Sequence, residues 1–137
     1  MGAYSRYADV SVGDVYPPQP LTFDVSTKVV DGFLSATGND GRLYEGRPRR
    51  APSMIASVYL IDLLMARRSP PGGIHAKQAI RFHRPIEVGE TLAIQGTVVE
   101  KYVRKERPYV VSTFEARGAD GTLVSSGRIT SIWGKDL

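Results

Sequence analysis

Chemically useful side chains gather in one polar loop in the first third of the chain. This loop, residues 37–46, reads TGNDGRLYEG and contains two carboxylates, an amide and a phenol, but no histidine. Carboxylates can give or accept protons during a reaction. The loop is therefore the first candidate for a catalytic site, with Asp40 and Glu45 as its acid–base groups. A plain polar turn is the alternative.

Arginines cluster close to this loop. They form two groups, Arg42, Arg47, Arg49 and Arg50, followed by Arg67 and Arg68. A guanidinium group matches the geometry of phosphate oxygens, so a small phosphorylated ligand is one interpretation. A solvated surface with some positive excess is the other.

The composition argues against several kinds of site. The 137 residues include no cysteine and only two histidines, His75 and His83, which argues against disulfides, a thiolate nucleophile and a histidine-rich metal site. We interpret His83 as a surface or interface residue, and His75 has less support as a functional residue. The net charge is +4, but the basic strand motif with interleaved aromatic residues that marks RNA-binding domains is missing. We therefore expect no metal and no nucleic-acid partner.

The length and the hydrophobic fraction of 42% suit a single globular domain. We expect it to cover residues 1–137, with an irregular lead-in over residues 1–20 that includes the proline-rich YPPQPL. No apolar run reaches the roughly 20 residues of a membrane span, and the first residues lack the pattern of a secretory signal. The absence of cysteine fits a reducing cytoplasm. We expect a cytoplasmic protein with no membrane partner.

Two helices are predicted on either side of the polar loop. The first begins at a cap formed by Ser26 or Thr27, has apolar residues at helical spacing, and ends at Gly38 and Asn39. The second covers residues 52–68, with Pro52 at its first position, and is apolar on nearly every side. Such a helix belongs inside a structure. We therefore place Met54 and Met65 in the core.

Strands are predicted around the two helices. A short strand, LTFDV, precedes the first helix, and four more follow SPPGG at residues 74–85, 90–103, 107–118 and 123–133. The turn before the last strand, ADGT, carries the Asp-Gly hairpin signal. One central helix followed by an antiparallel meander predicts an α+β fold, in which a curved sheet wraps around one long helix.

This order of elements, together with IRFHRPIEVGETL, resembles the MaoC-like hot-dog-fold family of acyl-thioester hydratases and dehydratases. The family carries Arg-Phe-x-x-Pro-x-x-x-Gly-Asp-x-Leu at this point. The matching positions here are Arg81, Phe82, Pro85, Gly89, Glu90 and Leu92, with Glu90 in place of the usual Asp. The last hairpin, DGTLVSSGRITSIW, is also similar, and the resemblance extends from about Val12 onward.

The resemblance implies a hot-dog fold, edge-to-edge pairing of two subunits, and an acyl thioester as the ligand. Active members place an Asp and a His five residues apart, and matching Thr37-Gly38 to the family puts Asn39 and Tyr44 at those positions. A register shifted by one residue puts Asp40 and Glu45 there instead. The backbone N–H of Ser53 is then the donor to the thioester oxygen at the helix start. Tyr44 itself is either an aromatic that packs over the helix start or a ligand-facing hydroxyl.

The arginines then become contacts for the phosphates of coenzyme A, and we count Arg42, Arg47, Arg49, Arg50 and Arg84 as ligand-binding candidates. Asn39 cannot act as a general base, and tyrosine has a pKa near 10. The LYEG motif, followed by a proline and an apolar run, is similar to the non-catalytic N-terminal half of eukaryotic hydratase 2.

Three functions remain open. The first is an acyl-CoA or acyl-carrier-protein hydratase or dehydratase of the (R)-specific enoyl-CoA hydratase type, acting alone as a homodimer or as the acyl-binding subunit of a heterodimer with a catalytic MaoC-like chain. The second is a hot-dog acyl-CoA thioesterase that uses Asn39, Tyr44 and a carboxylate to hold water. The third is a non-enzymatic acyl-CoA-binding module. None of them requires a cofactor apart from coenzyme A as part of the substrate.

Overall fold

The computed structural model describes residues 4–135, so the first three residues of the predicted lead-in lie outside the described part. Short 3-10 turns form at Tyr7–Asp9, Arg42–Tyr44 and Ser53–Ile55. The helices are α1 (Thr27–Ala36) and α2 (Ala56–Met65). The strands are β1 (Val15–Asp24), β2 (Arg50–Ala51), β3 (Ile74–Phe82), β4 (Ile86–Glu87), β5 (Thr91–Arg104), β6 (Arg107–Arg117) and β7 (Leu123–Ile132).

Five strands form one antiparallel sheet in the order β1-β5-β6-β7-β3. The predicted meander is right for β5, β6 and β7 and wrong for β3, which lies beside β7 at the far edge. Gly127 of β7 makes this pairing possible, because a Cβ there would collide with the Ala79 carbonyl oxygen of β3. The predicted α+β arrangement, a sheet packed around a helix, is confirmed.

The first strand begins earlier than the sequence suggests. The predicted irregular lead-in of residues 1–20 is wrong from Val15 onward, since β1 starts there and pairs with β5. The regular pairing lapses between Tyr16 and Leu21, where three of the four intervening residues are prolines without an N–H to donate. The proline-rich stretch is therefore extended backbone with an interrupted ladder.

The most apolar segment of the chain forms α2, which packs across the sheet. Its buried face includes Tyr59, Leu60 and Leu63, and the Tyr59 ring meets Phe23 of β1 edge-on with centroids 5.5 Å apart. The prediction that Met54 and Met65 lie in the core is wrong. They are 49% and 72% exposed, because the sheet covers only one side of the helix. Within residues 4–135, no helix is both long and apolar enough to cross a membrane.

The first helix and its ends follow the sequence signals closely. The Ser26 side chain accepts a hydrogen bond from the Val29 N–H at 3.1 Å, which confirms the predicted cap. At the other end Gly38 adopts a φ of +70°, and the N–H groups of Gly38 and Asn39 donate to carbonyls of the last turn. The chain therefore turns sharply into the polar loop of residues 37–46.

Candidate functional site

Most polar side chains of the loop form local turns. Asn39 Oδ1 accepts from the Gly41 N–H at 2.8 Å, and Asp40 accepts from both the N–H and the Nε of Arg42 at 3.0 and 2.9 Å. The backbone hydrogen bond from Arg42 lowers the pKa of Asp40, and the Arg42 side chain adds to this effect. Asn39 and Asp40 are exposed. Local turn formation accounts for all their hydrogen bonds in the described structure.

Tyr44 differs from these neighbours because it faces the body of the protein. It ends the 3-10 turn Arg42–Tyr44, is half-buried and packs against the hydrophobic core. It also lines a groove of about 430 Å³ beside the start of the α2 segment, which we call the helix-start groove. The lining consists of Tyr44, Arg50, Ala51, Ser53, Phe82, His83, Arg84 and Pro85.

The strands β2 and β4 assemble this groove. Arg50 pairs with Glu87 and Ala51 pairs with Ile86, which brings the residues before α2 against the segment that follows β3. Ser53 begins the 3-10 turn that runs into α2, and its N–H makes no hydrogen bond within the described residues. A free N–H at the positive end of a helix can donate to a carbonyl oxygen that gains negative charge.

The arginine candidates divide into two sets. Arg42 binds Asp40, and Arg49 binds Asp31 at 2.6 Å and the Tyr44 carbonyl at 2.8 Å, so these two arginines hold the loop in place. Only Arg50 and Arg84 line the groove. Arg47 is exposed, and neither Arg47 nor Arg50 forms an ion pair within the described part of the chain.

The segment between β3 and β5 is held by an ion pair. Arg84 donates two hydrogen bonds to the Glu90 carboxylate, at 2.7 and 3.0 Å, and Glu90 also accepts from the Glu87 N–H at 2.7 Å. The Arg84 hydrogen bond lowers the pKa of Glu90, although burial opposes this. Gly89 enables the turn with a φ of +102°. The motif that resembles the family sequence therefore has a structural role in this protein, because the hydrogen bonds of Glu90 fix the segment between β3 and β5.

His83 is the residue whose place in the groove the sequence did not reveal. It is exposed, as predicted for a surface position, yet it lines the helix-start groove together with Tyr44 and Ser53. Its Nε2 lies 2.8 Å from Ser126 Oγ of β7. The sequence feature that could have indicated this location is the position of His83 beside Arg84 and Pro85, inside the stretch that resembles the family motif. An imidazole is the natural proton carrier near neutral pH.

Solved structures with the same fold cover almost the whole chain. The (R)-hydratase PhaJ1 from Pseudomonas aeruginosa matches with a TM-score of 0.79 and 20% identity, over 96% of this chain and 86% of that one. A MaoC-like dehydratase from Rhodospirillum rubrum matches with a TM-score of 0.71 and 18% identity, over 95% and 97% of the two chains. The HadBC (3R)-hydroxyacyl-ACP dehydratase complex from Mycobacterium tuberculosis matches with a TM-score of 0.72 and 19% identity, over 90% and 96%.

No protein-family model matches the sequence, and no curated protein matches it either. The structural likeness nevertheless confirms the predicted fold. The chain has the hot-dog fold that MaoC-like dehydratases and (R)-hydratases share. At identities of 20% and below, the likeness concerns the fold, and the site must be interpreted from its own residues.

Proposed function

We propose that this protein binds acyl thioesters as a hydratase- or dehydratase-type subunit, and that a second chain supplies the acid–base residues. The observation that carries the proposal is the composition of the helix-start groove. It combines a free backbone N–H, a phenol, an imidazole and two arginines, of which Arg84 is paired with Glu90, while no carboxylate belongs to its lining within the described residues. Such a groove can hold a thioester but lacks the acidic partner that hydration of an enoyl group needs.

Three of the polar groups that line the groove would each contact a different part of a bound thioester. The Ser53 N–H donates to the thioester oxygen, where the α2 dipole favours negative charge. The Tyr44 hydroxyl lies beside the acyl group as a hydrogen-bond donor. Arg50, which forms no ion pair within the described residues, faces the phosphates of coenzyme A or of a carrier protein's prosthetic arm. Arg84 stays bound to Glu90 in the groove wall, and Arg47 adds positive charge outside the groove.

The acid–base groups that the groove lacks indicate which residues a partner chain must supply. Adding water to an enoyl thioester requires a base for the water and an acid for the α-carbon. Asn39, or Asp40 in the shifted register, stands at the position of the family's Asp, but both side chains serve local turns. A chain with an intact Asp and His would complete the reaction. The likeness to the HadBC dehydratase complex supports this arrangement.

The free edge of the sheet offers a surface for such a partner. Strand β3 pairs with β7 on one side only, and all its residues except Ile80 are exposed. An unpaired edge exposes N–H and C=O groups that a second strand can satisfy. Pairing with a catalytic chain, or with a second copy of this one, would extend the sheet across the interface.

The first experiment measures binding and turnover together. The purified chain is expected to gain thermal stability in the presence of crotonyl-CoA and to leave its enoyl absorbance unchanged. Turnover by the chain alone at rates typical of enzymes would overturn the subunit role. Absence of stabilisation by any acyl-CoA, from short to long chains, would overturn thioester binding itself.

Two arginine variants test the groove directly. Arg50→Gln removes a groove charge without touching an ion pair, and its affinity for crotonyl-CoA is expected to fall about tenfold. Arg107→Gln is the matched control, since Arg107 is exposed at the start of β6 and outside the groove. Equal losses in both variants would indicate general charge attraction and contradict the assigned groove.

Thioester hydrolysis is a second candidate function, favoured by the position of His83. Its imidazole reaches the groove and is hydrogen-bonded to Ser126, so it can accept a proton from a water molecule beside the carbonyl carbon. Release of free coenzyme A from an acyl-CoA panel, lost in His83→Gln, would establish this function in place of the first. A chain that binds acyl-CoA without turnover, alone or with partners, would be a binding module.

A further inference from the structure

A shallow groove lies on the outer face of the sheet, where β3 and β7 pair, and we call it the outer-face groove. It measures about 440 Å³ and is lined by residues of both strands and by His83. On β7, Ser125 is buried and its hydroxyl contacts Tyr59 of α2. Because side chains alternate along a strand, Ser126 and Arg128 do not share one face with Ser125, and they lie on the side of the sheet away from the helix.

Two arginines of this groove occupy diagonal positions across the strand pair. Arg81 of β3 stands opposite Ser126, and Arg128 stands opposite Ala79. Diagonal side chains of an antiparallel pair have Cβ atoms no more than about 7–8 Å apart, which long side chains can bridge. Ala79 also lines the groove, and its methyl group fills little of the space between the two arginines. Both guanidinium groups can therefore contact one ligand.

The charges around the groove favour an anion. Arg81 is exposed and forms no ion pair within the described residues. Arg128 contacts Glu100 through one nitrogen at 3.2 Å, and both side chains are about half exposed, so this ion pair is weak. Glu115 of the neighbouring strand β6 accepts two hydrogen bonds from Arg117. Within the part of the chain that the structure describes, no carboxylate lines the groove.

His83 joins this groove to the helix-start groove, because it lines both. Its backbone N–H extends the strand pairing beyond β3 by donating to the Val124 carbonyl at 2.8 Å, and its Nε2 lies 2.8 Å from Ser126 Oγ. From Ala79 to His83 the extended chain covers about 13 Å. A long ligand whose thioester lies at the Ser53 N–H can therefore extend past His83 to the two arginines.

The two arginines favour one kind of phosphate over another. The phosphodiester of a carrier protein's prosthetic arm has a single negative charge, whereas a phosphate monoester has a charge of about −1.5 to −2 at pH 7. Two guanidinium groups that act together match the larger charge and the three free oxygens of the monoester. Coenzyme A has such a monoester, the 3′-phosphate of its ribose, and the arm of a carrier protein has none.

We propose that the outer-face groove binds the 3′-phosphate of coenzyme A, so that the substrate of this protein is a free acyl-CoA thioester. This inference rests on the proposed function, the binding of acyl thioesters, and specifies which carrier holds the acyl group. Arg81 and Arg128 donate to the phosphate oxygens, and the hydrogen-bonded pair of Ser126 and His83 offers a further donor.

Crotonyl-CoA and crotonyl-dephospho-CoA differ only in the 3′-phosphate, so their dissociation constants measure its contribution. Calorimetric titration of the parent protein is expected to show about tenfold weaker binding without this phosphate. Arg81→Gln should weaken the binding of crotonyl-CoA about tenfold and leave that of the dephospho form unchanged, so that the ratio of the two constants falls to about one. Arg128→Gln, in the same groove, should also reduce the ratio, to about three or less.

Arg104→Gln is the matched control. Arg104 is also an exposed strand arginine without an ion pair in the described residues, but it lies outside the groove. This variant should retain the parent's tenfold ratio. An equal loss in Arg104→Gln would indicate general charge attraction and contradict the assigned groove.

The remaining outcomes separate this inference from the proposed function. Equal affinity of the parent for the two thioesters, or a ratio that Arg81→Gln leaves unchanged, would overturn the 3′-phosphate site and leave thioester binding intact. Absence of binding to both thioesters would overturn the two together. A crotonyl group on an acyl carrier protein is expected to bind more weakly than crotonyl-CoA. Tighter binding of that form, lost in Arg81→Gln, would show that the groove binds a carrier protein and overturn the assignment to coenzyme A.

Discussion

The Arg84–Glu90 ion pair is the best-defined polar contact near the helix-start groove, and replacing Glu90 with Gln tests its contribution to stability. Glu90 accepts three hydrogen bonds of 2.7 to 3.0 Å, two from Arg84 and one from the Glu87 N–H. Hydrogen bonds to charged groups contribute about 1.5–3 kcal/mol. The two side chains retain 30% and 22% of their exposure, so solvent screening reduces this contribution.

We expect Glu90→Gln to lower the free energy of unfolding by about 1–2 kcal/mol and the Tm by about 3–8 °C. Urea unfolding at neutral pH measures the first quantity and calorimetry the second. Glu115→Gln is the matched control. Its ion pair with Arg117 is as short, at 2.7 Å, but about half exposed, so we expect a loss below about 0.5 kcal/mol.

The pH dependence provides a second check on the same variant. The Arg84 hydrogen bond holds the pKa of Glu90 below its ordinary value of 4.5 in the folded protein. A carboxylate with a lowered pKa stabilises the fold above its unfolded pKa, and this contribution is lost as the pH falls through the folded pKa. The difference between parent and variant should therefore be constant near neutral pH and shrink below about pH 4.5.

Two results would refute this reasoning. One is a difference below about 0.5 kcal/mol at neutral pH, which is the value of an ordinary surface pair. The other is a difference that stays equally large in acid. In either case the ion pair would not be what holds the segment between β3 and β5.

Three further substitutions test the packing of the fold. Gly127→Ala should destabilise the protein by about 3 kcal/mol in urea unfolding, because its Cβ collides with the Ala79 carbonyl across the β3–β7 pairing. Gly32→Ala, on α1 with open space around its Cβ, should stabilise it by about 0.5–1 kcal/mol, and equal effects of the two changes would contradict the β3–β7 geometry. Tyr59→Phe should cost about 1–2 kcal/mol, because Ser125 would lose its buried partner, and unchanged thermal unfolding would contradict that contact.

Local hydrogen bonding explains which features could be predicted from the sequence. The Ser26 cap, the Gly38 helix end and the turn at Asp40 each depend on residues fewer than six positions apart. The predicted Asp-Gly hairpin turn is also present, with Gly121 at a φ of +82° and Thr122 bonded to Gly118. Side-chain type and spacing suffice in such cases, because both partners are close in the chain.

The apolar pattern of α2 predicted a buried helix but not the extent of its burial. Periodicity indicates how many apolar residues a helix has, and it does not indicate how many sides the rest of the chain can cover. Met54 and Met65 are exposed because the sheet packs on the opposite face. The α+β arrangement of a sheet around a helix was predictable from the order of elements, and the hot-dog fold from the family resemblance, but the position of β3 at the far edge was not.

The candidate sites depended on long-range pairing. His83 reaches Ser126, 43 residues away, only because β3 pairs with β7, and the same pairing brings Arg81 near Arg128. The sequence alone identified the polar loop, the arginines and a helix-start donor. The tertiary structure decided that Asn39 and Asp40 serve a turn while Tyr44 and Ser53 share a groove. The reason is that these outcomes depend on which strands become neighbours, which no local pattern specifies.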